Sequence, residues 1–323
     1  MGRVIAVALV FVGALAGCEI NPLFDPSIPA GGMLGDGEAA VTVGNLRAAW
    51  ATPNTIRWEW DAQGDADELL AYTLTVGESE QDVLDQSGSS REWTEADNPE
   101  LSRYLLPRTG GEDQVTFTAT DELTPDTIYF AQLRATDTAG NVVTTTVAAG
   151  RTAEPAVDEI VIMSDQETAG YSLPDNFLLT EERPYAGTHA YRYDSICPDG
   201  DSTCWENLRR QELGLDLSAI SQGTFATTAY FEVAVAIEGG TTPWWCSLWL
   251  AYDPGSERLA NYGGWTARAD GEYRLLQVPM REFEIQGAPT PYDELALGLF
   301  GFNVGCPWSA GSVVRVDEVR LRW

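Results

Sequence analysis

The aromatic side chains best suited to ligand binding lie between positions 244 and 308 of this 323-residue chain. An indole ring stacks on the C–H face of a sugar, so exposed aromatics predict a carbohydrate platform. In an extended strand over 245–251, Trp245 and Trp249 share one face about 13 Å apart, a span that a short oligosaccharide bridges. The alternative is that these tryptophans are core residues. The predicted ligand set is Trp245, Trp249, Tyr252 and Trp265, within a cluster that also holds Trp244, Tyr262 and Trp308 and has Asp253, Asn261 and Arg268 nearby.

Catalytic chemistry has little support in the sequence. The chain contains one histidine, His189, and no lysine, so Schiff-base chemistry is excluded and any His-dependent triad must use that residue. No G-x-S-x-G, P-loop or H-E-x-x-H motif occurs. We therefore predict no catalytic residues and no organic cofactor, with a two-carboxylate, glycan-active enzyme as the least favoured alternative.

The N-terminus predicts export. Arg3 precedes the apolar run Val4 to Leu15, and 12 helical residues reach about 18 Å, too short for a bilayer core of roughly 30 Å but typical of a secretory signal. The run ends in Leu15-Ala16-Gly17-Cys18, which resembles the lipobox of bacterial lipoproteins. That resemblance implies lipidation of the Cys18 thiol, cleavage before it, and anchoring in the bacterial envelope, at the outer membrane or cell surface. The alternative is an ordinary secretory signal, since Ala14-Leu15-Ala16 also suits cleavage.

Residues 1–17 are thus a predicted signal peptide, and 18–40, rich in Pro, Gly and Ala, a predicted tether. Setting Cys18 aside leaves four cysteines, which allow three pairings in an exported chain. Cys197 and Cys204 flank a Pro-Asp-Gly-Asp-Ser-Thr turn that favours their pairing, which leaves Cys246 with Cys306.

Charge excludes one class of partner. The chain carries 49 acidic and 19 basic residues, for a net charge of −30. Phosphate backbones repel such a chain, so nucleic-acid binding is excluded, and an unassisted approach to anionic lipid is disfavoured.

Residues 41–153 alternate apolar and polar positions in short runs, as in Ile56-Arg57-Trp58-Glu59-Trp60, and predict an antiparallel sandwich. The segment Leu123-Thr124-Pro125-Asp126-Thr127-Ile128-Tyr129 resembles the L-x-P-x-T-x-Y motif of fibronectin type III domains. The resemblance implies that Tyr129 is a tyrosine-corner residue and that Trp58 or Trp60 is the buried Trp of the second strand. The polar stretch 84–113 exceeds the usual connections of this fold and predicts an added hairpin or functional loop. Such domains in bacterial surface proteins usually act as spacers or protein-contact modules, and we expect a spacer here.

Residues 157–323, after the linker 152–156, hold further alternating runs such as Ala229 to Ile237. With the closing run Val313 to Leu321, they resemble jelly-roll domains of the galactose-binding and carbohydrate-binding-module type. That resemblance implies a structural calcium ion at Asp317, against the alternative of a solvent-facing Asp at a strand bulge.

The sequence as a whole predicts an all-β fold of two β-sandwich domains, fibronectin type III-like and then jelly roll. The favoured function is a non-catalytic lipoprotein whose second domain binds carbohydrate. The alternative is an adhesion or envelope-assembly lipoprotein whose second domain contacts a surface protein.

Overall fold

The computed structural model describes residues 41–64, 69–98, 101, 114–163, 177–194, 203–207, 210–214, 217–239, 246–251, 259–265, 269–285, 288–289, 299–309 and 312–323. The fold is all-β, as predicted, and contains two sandwiches. Among the described strands, those before residue 152 pair only with one another, and so do those after residue 158. No helix in this described portion is long and apolar enough to cross a membrane.

The first sandwich consists of two sheets. One has three strands in the order β1-β2-β5, and the other has the order β4-β3-β6-β7, with β8 also paired to β6. All pairs are antiparallel. The elements are β1 (Val41–Ala51), β2 (Ile56–Gly64), β3 (Leu69–Gly77), α1 (Glu80–Asp85), β4 (Arg91–Trp93), β5 (Gln114–Thr120), β6 (Ile128–Asp137), β7 (Val142–Thr144) and β8 (Ala148–Arg151).

The core of this sandwich comes from the inward positions of β2, β3 and β6. Trp58 and Trp60 are both fully buried, two positions apart on one face of β2, because successive inward residues in a strand are separated by one outward residue. The Trp60 ring meets Tyr72 edge to face, with ring centroids 5.3 Å apart. The tyrosine corner is confirmed, since the backbone N–H of Thr124 donates to the Tyr129 hydroxyl at 2.9 Å.

The predicted insertion 84–113 begins inside a helix. Helix α1 starts at Ser79, whose hydroxyl accepts from the backbone N–H of Asp82. It ends at Gln86, which adopts the left-handed conformation. Strand β4 then adds an edge to the second sheet and buries Trp93. Residues 102–113 lie outside the described residues.

The second sandwich has a six-stranded and a seven-stranded sheet. The first has the order β10-β11-β21-β14-β17, with β9 also on β21; the second has the order β12-β20-β15-β16-β18-β19, with β13 also on β20. The elements are β9 (Glu159–Met163), β10 (Phe177–Thr180), β11 (Ala190–Asp194), β12 (Thr203–Asn207), β13 (Arg210–Gly214), α2 (Gln222–Thr227), β14 (Tyr230–Glu238), β15 (Cys246–Ala251), β16 (Leu259–Trp265), β17 (Asp270–Pro279), β18 (Glu284–Ile285), β19 (Ala288–Pro289), β20 (Leu299–Ser309) and β21 (Val313–Arg322), with 3-10 turns at Leu217–Ala219 and Met280–Glu282.

Strand β14 is buried on both faces. The predicted core positions Phe231, Val233, Val235 and Ile237 are at most 2% exposed. The intervening residues of β14 before Glu238 are buried as well, and among them is a carboxylate, Glu232. A buried carboxylate needs charged or hydrogen-bonding partners, so this second face is packed around polar contacts.

The contacts of Glu232 extend to the first sandwich. The Gln277 amide donates to Glu232 at 2.6 Å, and its oxygen accepts from the Thr52 hydroxyl at 2.6 Å. The backbone N–H of Asn54 donates to the same oxygen at 3.3 Å. Arg322 lies 3.2 Å from the other Glu232 oxygen. These groups form a buried polar bridge that runs from the turn after β1 to the centre of the six-stranded sheet.

The linker predicted at 152–156 is hydrogen-bonded at and just beyond its ends. Ala153 donates its N–H to the Thr52 carbonyl, and its own carbonyl accepts from Asp126. Val157 and Asp158 both donate to the Trp323 carbonyl at the C-terminus. Such main-chain bonds restrict the hinge motion that a free linker permits.

Candidate functional site

The candidate site lies in the seven-stranded sheet and is defined by the register of its backbone strands. Directly opposed residues of an antiparallel pair lie on the same face, and alternate residues of one strand share a face. Trp249 of β15 pairs with Asn303 of β20 and with Asn261 of β16, and Asn261 pairs with Glu284 of β18. These four residues therefore form a row across four adjacent strands, which we call the Trp249 row.

Most of the positions beside the Trp249 row carry small side chains. One step along the same face, Ser247 pairs with Gly305 and Gly263. On the other side, Ala251 pairs with Gly301 and with the larger Leu259. Glycine inside a strand weakens the strand and often marks a place where a ligand approaches the backbone closely. At an inter-strand spacing of about 4.8 Å, the row extends over roughly 14 Å.

The other face of the same strands is apolar. In β20 the residues that alternate with Asn303 include Phe300, Phe302 and Val304. Val304 and Phe302 pair with Leu248 and Leu250 of β15. The two layers of a sandwich interdigitate apolar side chains, so the sequence pattern assigns this face to the core and the Trp249 row to the opposite one.

The predicted ligand residues divide between these faces. Trp249 lies in the row. Asn261, which the sequence predicts to bind sugar hydroxyls, lies in the same row on the neighbouring strand. Trp265 pairs with Cys246, while Gly263 pairs with Ser247, so one extra residue, Gly264, interrupts the register. Because a single inserted residue moves the following side chain to the other face, Trp265 occupies an apolar-face position, as does Tyr262 opposite Leu248.

Other predicted residues fall outside the described residues: Trp244, Trp245, Tyr252, Asp253, Arg268 and Cys197, as well as the lipidation site Cys18. Their roles stay predictions. Sequence reasoning did not single out Asn303 and Glu284. The run Gly301 to Gly305 in β20, in which small residues alternate with Phe302 and Val304 around Asn303, is the signal that points to a ligand face.

Asp317, the predicted calcium residue, is 1% exposed and has main-chain donors on both oxygens. Its Oδ2 accepts from the N–H groups of Tyr185 and Ala186 at 2.9 and 3.2 Å, and its Oδ1 accepts from Glu318 at 2.8 Å. Within the described residues, no group of three or more His, Cys, Asp or Glu could hold a metal ion. These contacts give Asp317 a structural role in holding the 185–186 loop, and calcium binding stays a prediction.

The bulge predicted as the alternative setting for Asp317 is present. Ala234 pairs with Asp317 and Glu232 with Arg320, so two residues of β21, Glu318 and Val319, oppose one residue of β14. Glu318 has a φ of 49° and is 7% exposed, a conformation that a β-bulge accommodates. The solvent-facing part of that alternative is wrong, because Asp317 is buried.

Basic and acidic side chains alternate near this bulge. Arg315, 4% exposed, donates to Glu238 at 2.8 Å. This bond and the charge of Arg315 hold the pKa of Glu238 below its ordinary value. Arg183 donates to Glu272 at 2.8 Å. Within each of these pairs the opposite charges compensate each other. The contacts around Arg315 and Arg183 therefore indicate a structural network rather than a ligand site.

Comparisons with known proteins give only distant likenesses. No family model matches the chain, and no curated protein matches it. A family 30 carbohydrate-binding module is 11% identical over 51% of this chain and 88% of its own, with a TM-score of 0.37. A family 11 module from Clostridium thermocellum, solved with a β-1,3-1,4-mixed-linked tetrasaccharide, is 11% identical over 52% of this chain and 96% of its own, with a TM-score of 0.34. The FN1–FN3 domains of chicken CNTN1 are 11% identical over 84% of this chain and 62% of theirs, with a TM-score of 0.25. At these scores the likenesses decide nothing about ligand or activity.

Proposed function

We propose that this chain is a non-catalytic envelope lipoprotein whose second sandwich binds carbohydrate along the Trp249 row. The observation that carries the proposal is the register that aligns Trp249 with Asn303, Asn261 and Glu284. An indole supplies the stacking surface that a sugar ring needs. Amide and carboxylate groups supply donors and acceptors for hydroxyls.

The size and surroundings of the row fit a short oligosaccharide. The small residues Ser247, Gly263 and Gly305 on one side of the row favour access for rings that lie across the strands. A binding site of this kind requires few polar groups, placed to fix orientation beside an apolar surface. The net charge of −30 favours a neutral or basic glycan over a polyanionic one.

The test is binding to a neutral polysaccharide panel by pull-down and calorimetry. Trp249→Ala is expected to lower affinity at least tenfold, because loss of a stacking aromatic removes a central contact, while Trp249→Phe, which keeps a ring, retains part of it. Asn261→Ala is expected to lower affinity less. Tyr185→Ala, which removes an exposed aromatic in the loop between β10 and β11, is the control and is expected to bind as wild type.

Two outcomes would overturn the glycan proposal. One is the absence of binding to every glycan tested, and the other is equal binding by Trp249→Ala and wild type. Capture of a surface protein by wild type, lost in Trp249→Ala, would instead favour the adhesion alternative.

The envelope location forms a separate part of the proposal. It rests on Arg3, the apolar run after it and Cys18. Palmitate labelling in a bacterial host is expected in wild type and not in Cys18→Ser, with export retained in both. Persistent labelling of Cys18→Ser would show that the lipid is elsewhere.

A further inference from the structure

Extending the β15–β20 register by one residue beyond its last pair places two of the four distal cysteines opposite each other. In the β15–β20 pair, Trp249 opposes Asn303 and Ser247 opposes Gly305. One more step in this register aligns Cys246 with Cys306. Strand β20 is still within the sheet at that point, because Cys306 pairs with Glu206 of β12 on its other side.

Register also separates the three pairings that four cysteines allow. Directly opposed residues have Cα atoms about 4.5–5.5 Å apart, within the limit of about 7 Å for a disulfide. Cys204 pairs with Trp308, two positions beyond Cys306, which makes Cys204 and Cys306 a diagonal pair at about 7–8 Å. Cys204 and Cys246 lie two strands apart and are offset by two residues along the strands, which separates them by roughly 11–12 Å.

We propose that Cys246 and Cys306 form a disulfide that joins β15 to β20, which leaves Cys204 for the partner that the sequence predicts, Cys197. Each bond forms as two thiols lose two protons and two electrons to a protein disulfide oxidant of the export compartment, which is reduced to its dithiol. Oxidation in that compartment follows from the proposed export.

The Cys246–Cys306 link has a consequence for the proposed glycan site, and this consequence rests on the proposed function. Trp249 follows Cys246 by three positions, and Asn303 precedes Cys306 by three positions. Both pairs are therefore held in one register by the same bond. A slip of one residue would move either side chain to the other face. The disulfide lies on the opposite face from the row and fixes the alignment of Trp249 with Asn303.

Peptide mapping of the unreduced protein tests the pairing directly. Because the chain has no lysine, trypsin cleaves only after arginine. Cys197 and Cys204 then share fragment 193–209, Cys246 lies in 211–258, and Cys306 lies in 282–315. The expected result is a covalent dimer of 211–258 with 282–315, and a fragment 193–209 that is closed on itself. Any link between 193–209 and another fragment, or free thiols at positions 246 and 306, overturns the proposal.

The functional consequence has its own test. Cys246→Ala/Cys306→Ala is expected to weaken glycan binding at least fivefold, while the matched pair Cys197→Ala/Cys204→Ala changes it by less than twofold. If the two double substitutions change glycan affinity equally, the proposed link between the Cys246–Cys306 disulfide and the Trp249 row is wrong. If wild type binds no glycan, the proposed function fails, whereas the peptide map still decides the disulfide.

Discussion

At the scale of single residues, Asp317 shows how much one carboxylate can organise. Two of its three main-chain donors, Tyr185 and Ala186, lie in a loop 132 and 131 positions away, and the third is its own neighbour Glu318. An amide at this position would direct an N–H₂ group at N–H donors. We expect Asp317→Asn to lower the free energy of unfolding by about 2–4 kcal/mol, as measured by chemical denaturation.

The same residue permits a test of the calcium prediction. Both carboxylate oxygens already accept hydrogen bonds, so a bound ion would have to share them. A wild-type melting temperature that is the same in calcium and in a chelator would exclude the predicted ion. A calcium-dependent melting temperature in wild type that is lost in Asp317→Asn would instead establish the ion at this site.

Glu238 gives a pH-dependent prediction. Its pKa is lowered in the fold by the hydrogen bond and charge of Arg315, so its contribution to stability is present above its ordinary pKa of about 4.5 and is lost as the pH falls through the lowered value. Glu238→Gln is therefore expected to melt below wild type at pH 7 and to match it at strongly acidic pH. Glu95→Gln, an exposed acid, is the control. If the melting temperature of Glu238→Gln stays below that of wild type in acid, ionisation of Glu238 is not the cause of the difference.

At the scale of elements, the tyrosine corner ties β6 to the segment before it. Tyr129→Phe removes the acceptor for the Thr124 N–H and is expected to cost about 1–2 kcal/mol in denaturation. Tyr185→Phe, at a half-exposed site, is the control. Equal stability of Tyr129→Phe and wild type would mean that water replaces the hydroxyl.

Elements also show which features could be predicted from sequence. Trp58 and Tyr129 belong to short motifs whose geometry is local, so their burial and bonding followed from the pattern. The position of Trp265 did not, because a bulge at Gly264 sets its face and no local sequence pattern marks that bulge. The Trp249 row required four strands that are distant in sequence, and no local pattern specifies which of them become neighbours.

At the scale of the whole molecule, the buried polar bridge joins the two sandwiches. No local sequence pattern predicts it, because Thr52 and Gln277 are 225 positions apart. Gln277→Ala removes the acceptor for the Asn54 N–H. We expect hydrogen exchange at Asn54 to accelerate at least tenfold. Gln132→Ala, which removes a Gln hydrogen bond within the first sandwich, is the control and should leave Asn54 unchanged. Unchanged exchange in Gln277→Ala would show that the bridge does not hold the two sandwiches together.

The polar bridge also affects how the chain avoids self-association. Among the described strands, β17 is an edge of the six-stranded sheet, and an open edge is a template for pairing with another chain. The first sandwich contacts this strand through Gln277 and through Arg274, which lies 3.5 Å from Asp121. A second molecule that pairs with β17 would have to displace those contacts. We therefore expect the domain predicted to be a spacer to protect this edge against pairing with a second molecule.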